Sequence, residues 1–265
     1  MTEVGHFIFN PAYAVSGALV GVLVGLTGVG GGSLMTPLLV LLFGFHPTTA
    51  VGTDLLFACV TKSVGTAMHS TGKTVDWGIV GRLAMGSVPA TLVCLGAIAY
   101  FGVANKSVTS AISYTLGVAL LISAVCLLFK ARIVRAISRR HPEFEKREYV
   151  RLTIITGFIL GVLVSLSSVG AGALGTIALI ILYPRLPLVR IVGTDIAHAV
   201  PLTLLAGMGH WMLGTINFNL LKDLLVGSIP GIILGSLAAR YARETVLKTC
   251  LGLILAVVGF RMLVK

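Results

Sequence analysis

The chain has 265 residues, of which 56% are hydrophobic and 11% charged, with a formal charge of +11 and a mean hydropathy of +1.01. A soluble domain of this length carries about a quarter charged residues, so the composition excludes a water-soluble globular protein. The basic excess does not point to nucleic acid. Eight of the twenty Lys and Arg residues (Lys130, Arg132, Arg135, Arg139, Arg140, Lys146, Arg147 and Arg151) fall in one loop beside Glu143, Glu145 and Glu148, as in a cytoplasmic loop under the positive-inside rule.

In chain order, residues 4–53, 83–105, 107–129, 152–184 and 196–221 contain no Asp, Glu, Lys or Arg. Each window exceeds the roughly 20 apolar residues that cross a bilayer as a helix. The chain therefore reads as an all-α polytopic membrane protein. The opening "MTEVGHFIFN" has no basic n-region or cleavage site, so no removable signal peptide is expected. Cys59, Cys94, Cys126 and Cys250 lack CxxC spacing and read as small buried hydrophobes. No cofactor is expected.

The sequence is written twice. "GALVGVLVGLTGVGGG" at 17–32 matches "GFILGVLVSLSSVGAG" at 157–172 at nine of sixteen positions. "VGTD" at 51–54 returns at 192–195, His69 as His210, "TVDW" at 74–77 as "TINF" at 215–218, and "GSVP" at 86–89 as "GSIP" at 227–230. The expected units are an N-terminal membrane repeat, 1–129, a basic cytoplasmic linker, 130–150, and a C-terminal membrane repeat, 151–265. Internal repeats are a hallmark of transporter folds.

The first repeat predicts a segment over 11–43 broken at 28–32, then helices over 47–69, 76–102 and 105–129. The second predicts 151–183 broken at 168–172, then 187–211, 218–241 and 244–264. Pro47 and Pro187 suit helix starts; Pro89 and Pro230 fall inside the third helices. A broken segment of about 33 residues is short of the ~40 that two crossings need. If it turns back as a re-entrant hairpin, each repeat has three transmembrane helices and the repeats are inverted. With the 130–151 loop inside, that topology also puts Lys73, Arg185, Arg190, Arg240, Arg243 and Lys248 inside. A single crossing moves all but Lys73 outside, against the charge rule. Inverted repeats are the expectation.

Consecutive glycines disfavour helix, and bare backbone at membrane depth must be buried in protein or line a wet cavity. Each break ends one half-helix and starts another. That second start offers unpaired N–H groups and the positive end of a dipole, a geometry suited to a small anion. The spaced Gly17, Gly21, Gly157 and Gly161 read instead as close-packing positions. The runs Gly30–Gly32 and Gly170–Gly172 read as a site, since packing needs spaced glycines.

Asp54 and Asp195 are intramembrane carboxylates, candidates for function by default. A helix-end Asp paired with Arg or backbone is the competing reading, and Arg190 lies near Asp195 in sequence. Lys62, whose repeat partner is Thr203, either attracts an anion or forms a fixed pair with Asp54, two turns earlier; the pair is preferred. His69 and His210 suit interfacial hydrogen bonds, and Trp77 and Trp211 an aromatic belt.

These motifs carry a resemblance. "GLTGVGGGSLMTPLLVLLFG" followed by "AVGTDLL", with the weaker echo "VGAGAL" and "VGTDIA", resembles the sulfite exporter TauE/SafE family of bacterial membrane transporters, also described as the toluene-sulfonate uptake permease family. The likeness covers nearly the whole chain. It implies transport of a sulfur-containing anion such as sulfite, sulfoacetate or another organosulfonate in the bacterial inner membrane. The second repeat departs from the fuller motif: "SSVGAGALGTI" lacks the triple glycine and a counterpart of Pro37. The expected anion site lies between the breaks, at Gly30, Gly31, Gly32 and Ser33 and at Gly170, Ala171, Gly172 and Ala173, with help from the hydroxyls of Thr53 and Thr194. Asp54, Lys62, Asp195, His69 and His210 are the coupling and charge candidates, with protons as a possible coupling ion. A divalent-metal transporter using Asp54, Asp195, His69 and His210 is the alternative, although it lacks His/Cys ligand spacing; no metal site is assigned. An intramembrane aspartyl protease is a further alternative. Direction of transport and oligomeric state stay open.

Overall fold

The computed structural model describes residues 9–27, 32–69, 75–139, 146–170, 172–238 and 244–264. They form ten helices: α1 (Pro11–Thr27), α2 (Gly32–Leu41), α3 (Pro47–His69), α4 (Trp77–Phe101), α5 (Lys106–Arg139), α6 (Lys146–Ser167), α7 (Ala173–Leu182), α8 (Leu188–Met212), α9 (Phe218–Ala238) and α10 (Glu244–Val264). Five helices are long and apolar enough to cross a membrane: Trp77–Phe101, Lys106–Lys130, Arg147–Ser167, Leu188–Met212 and Phe218–Ala238. Their outward faces are apolar, as at Leu92, Val93, Ile122, Phe158 and Leu234, and Trp77 and Trp211 are exposed. Such faces suit lipid rather than water. The molecule is an all-helical, multi-pass membrane protein.

The predicted linker is largely helix. α5 runs to Arg139 and α6 begins at Lys146, so the basic residues extend both helices beyond their apolar stretches. Lys and Arg are good helix formers and give no stop signal.

The helices pair according to the repeat. α3 packs on α8 and α5 on α10, each helix against its own equivalent, whereas α1 packs on α9 and α6 on α4, each across the repeats. Glycine sets the crossed contacts. A Cβ on Gly17, Gly21 or Gly25 would meet, in order, the carbonyl oxygens of Leu224, Ser228 and Ile232 at 2.1, 2.4 and 2.3 Å. On Gly157 and Gly161 it would meet those of Leu83 and Ser87 at 2.1 and 2.5 Å. Without side chains the backbones touch, the membrane substitute for hydrophobic packing.

These registers also give direction. Contacts rise together along α1 and α9 and along α6 and α4, so each of these pairs is parallel. Gly52 lies against His210 and Gly207 against Leu56; Gly117 lies against Leu263 and Gly252 against Leu128. α3 and α8 are thus antiparallel, as are α5 and α10. Tyr183, just past α7, stacks on Tyr149 near the start of α6 with ring centroids 5.8 Å apart, and its hydroxyl lies 2.7 Å from Thr153 Oγ1. α6 and α7 therefore fold back as a hairpin. Tyr13 of α1 meets Phe43, just past α2, at 5.0 Å in the same way.

Asp76 caps α4, accepting from Gly78 N at 3.1 Å and Ile79 N at 3.2 Å, and pairs with Arg190 at 3.5 Å. Arg190 thus engages Asp76, not the sequence-adjacent Asp195. Replacing Asp76 with Ala is expected to cost about 1 kcal/mol of stability, the usual value of an N-cap, read as a lower unfolding temperature in detergent.

Candidate functional site

The second helices carry the repeated aspartates, and the short returning helices supply their partners. Asp54 and Asp195 are both buried, at 0% and 1% exposure. Asp54 Oδ2 accepts from Thr36 N at 3.1 Å and from the Thr36 hydroxyl. Asp195 Oδ2 accepts from Thr176 Oγ1 at 2.9 Å. Thr36 and Thr176 are repeat equivalents, so each carboxylate ties its helix to the returning arm of its own hairpin. Gly175 admits the second carboxylate, since a Cβ there would lie 2.0 Å from Asp195 Oδ1.

The described residues of the second break are inside the protein. Ser168, Gly170 and Gly172 are buried. Gly170 and Gly172 take φ of 131°, a backbone that L side chains rarely adopt, and Ser168 takes φ of 58°. The chain re-enters helix through Gly175 N to Gly170 O at 3.0 Å and Thr176 N to Gly172 O at 3.1 Å. Gly172 caps α7 with no side-chain hydrogen bond. Ser168 also approaches Asp54, so the second repeat's break touches the first repeat's carboxylate.

Lys62 is buried at 5% exposure, and its ammonium lies in the field of both Asp195 and Asp54. Both the expected partner Asp54 and the repeat-equivalent Asp195 thus act on Lys62. His198, one turn past Asp195, also lies in the field of Lys62. Its Nε2 is 2.8 Å from Ser87 Oγ on α4.

The other predicted residues divide. Gly32 and Ser33 open α2, and Ala173 opens α7; Gly30, Gly31 and Ala171 lie outside the described residues. Thr53 Oγ1 accepts from Asn217 N at 3.1 Å and Thr194 Oγ1 from Asp76 N at 3.0 Å, so both hydroxyls hold the entries to the third helices of the opposite repeat. His69 ends α3, with its side chain outside the described atoms. His210 is fully buried, with Nδ1 3.0 Å from Thr215 Oγ1 and Nε2 3.0 Å from Ser165 O. It joins α8 to α6 away from the aspartates. Sequence reading passed over Thr36, Thr176, Ser168 and His198. The first two had a signal, a threonine repeated at the offset of the glycine motif.

Helices long and apolar enough to cross a bilayer, a backbone break at Gly170 and Gly172, and buried Asp54, Lys62 and Asp195 suit a membrane transporter. The family described as Sulfite exporter TauE/SafE matches residues 13–262, and the chain belongs to that family. It is 39% identical over 228 residues to the probable membrane transporter protein YjnA of Bacillus subtilis, covering 85% of this chain and 89% of that protein. It is 26% identical to the probable membrane transporter protein YdhB of the same organism, covering 92% and 96%. It is 25% identical to the probable membrane transporter protein MJ0441 of Methanocaldococcus jannaschii, covering 98% of each. No solved structure matches the chain.

Proposed function

We propose that this transporter moves a small sulfur-containing anion, such as sulfite, sulfoacetate or another organosulfonate, across the bacterial inner membrane by alternating access. The carrying observation is the buried break at 168–172, where Gly170 and Gly172 open the start of α7 inside the protein beside the aspartate and lysine cluster. Backbone N–H groups at such a start suit sulfonate or sulfite oxygens.

The two hairpins and the antiparallel pairing of α3 with α8 and of α5 with α10 support re-entrant segments and inverted repeats. An axis along the membrane normal would leave equivalent helices parallel. The basic ends of α5 and α6 are then cytoplasmic. Asp54 and Asp195, each held by one threonine, are placed to exchange protons with the transport cycle. The metal alternative loses support because His210 has both ring nitrogens engaged elsewhere.

The test is binding of sulfite, sulfoacetate, taurine and sulfate to purified protein by calorimetry, repeated with Gly172→Leu. The variant is expected to bind at least tenfold more weakly, because a side chain at φ 131° displaces the start of α7. Equal binding by the variant removes the backbone site; nickel or cobalt binding in place of anions revives the metal reading.

A further inference from the structure

The two-fold relation between the repeats is broken at the centre. Lys62 faces a repeat partner of Thr203, and His198 a partner of Phe57. Both exceptions place a nitrogen-bearing side chain where the equivalent helix has none, on two helices that pack together, and His198 lies in the field of Lys62. Ser87 and its equivalent Ser228 show the consequence. The Ser87 hydroxyl pairs with His198 of the opposite repeat, whereas Ser228 Oγ, for which the equivalent residue is Phe57, has no hydrogen-bond partner among the described residues.

His198 is 2% exposed, yet its Nδ1 has no hydrogen-bond partner among the described residues. A buried polar atom in that state calls for a reason, such as a ligand. With Ser87 Oγ–H donating to Nε2, the neutral ring carries its proton on Nδ1. In that tautomer Nδ1 is an N–H donor in the field of the buried Lys62 ammonium.

We infer that His198 Nδ1–H and Lys62 form the side-chain part of a single, asymmetric anion site, in which His198 donates directly to an oxyanion of the substrate. The inference rests on the anion-transport reading and deepens it. The seat lies off the two-fold axis, and the protein holds one anion rather than two equivalent ones. Asp54 and Asp195 flank the seat, anchored to their hairpins by Thr36 and Thr176. Ser87 is a positioning residue that sets the tautomer.

Two isosteres separate a ligand role from a structural one. Asn at 198 places an amide N–H where Nδ1 stands and gives up the Ser87 bond. Gln places its amide where Nε2 stands, keeping the Ser87 bond and losing the Nδ1 donor. Purified wild type, His198→Asn, His198→Gln and Ser87→Ala are titrated with sulfite and sulfoacetate, with unfolding temperatures recorded without anion. The expected result is wild-type binding at one site per chain, binding within about threefold for His198→Asn, and a loss of about tenfold or more for His198→Gln, the scale of a hydrogen bond to a charged group. Strong binding by Gln with weak binding by Asn makes His198 a structural tie to Ser87. That result, equal binding by all variants, or two sites per chain overturns the inference and leaves the transport reading standing. Failure of the wild type to bind any of the anions overturns both.

Discussion

Leucine at Gly86 or Gly227 is expected to leave no folded, monodisperse protein. These two are repeat equivalents at the crossed contacts, one on α4 against α6 and one on α9 against α1. A Cβ on Gly86 would lie 2.0 Å from Ile154 O, and one on Gly227 would lie 1.8 Å from Ala14 O. The obstructing atoms are backbone, so no rotamer change relieves the clash. Overpacking a core ordinarily costs about 1–3 kcal/mol through side-chain adjustment. Here two helices must separate along a row of close contacts, which places the effect in the range above about 4 kcal/mol where marginal proteins unfold. Gly81→Ala and Gly96→Ala are the controls. Nothing lies within 4 Å of a Cβ at either, and alanine favours helix by about 0.5–1 kcal/mol. Size-exclusion profiles and thermal unfolding in detergent read all four variants. A Gly227→Leu protein that elutes and melts like wild type would contradict the α1–α9 contact.

Lys62→Met is expected to abolish transport. Breaking a buried charge pair by removing one partner costs about 3–5 kcal/mol, because the remaining charge stays buried. Lys62 acts on two carboxylates, so the loss falls on both hairpins at once. A hundredfold or greater drop in uptake by reconstituted vesicles is the expected size, at about 1.4 kcal/mol per tenfold. Adding Asp195→Asn to Lys62→Met removes one stranded charge. The double variant should regain unfolding temperature without regaining transport. Uptake by Lys62→Met at the wild-type rate would remove the shared cation from the mechanism.

Much of the fold was legible because the repeat announces itself and charge marks helix limits. Pro47 opens α3, Pro187 caps α8, and the second break falls at Gly170 and Gly172; the first, at 28–32, lies largely outside the described residues. The spaced Gly17, Gly21, Gly157 and Gly161 are packing positions, as their four-residue interval suggests. What the sequence concealed was mostly partnership across distance. Nothing local to "VGTD" says that Thr53 receives the start of α9 or that Asp54 is held by Thr36, because each contact joins elements that only the tertiary fold brings together. Arg190 lies five residues from Asp195, but α8 turns it toward the cap of α4 and Asp76. His198 was visible as the histidine that replaces Phe57 in the repeat. Its importance comes from Ser87 and Lys62, which belong to the other half.

The crossed pairing of α1 with α9 and of α6 with α4 means that each closely packed pair is a chimera, built from one helix of each repeat. Cutting the chain between α5 and α6 would yield two fragments, each missing half of its own scaffold and obliged to interlace with the other. The α3–α8 contact then joins the two interlaced sets of helices.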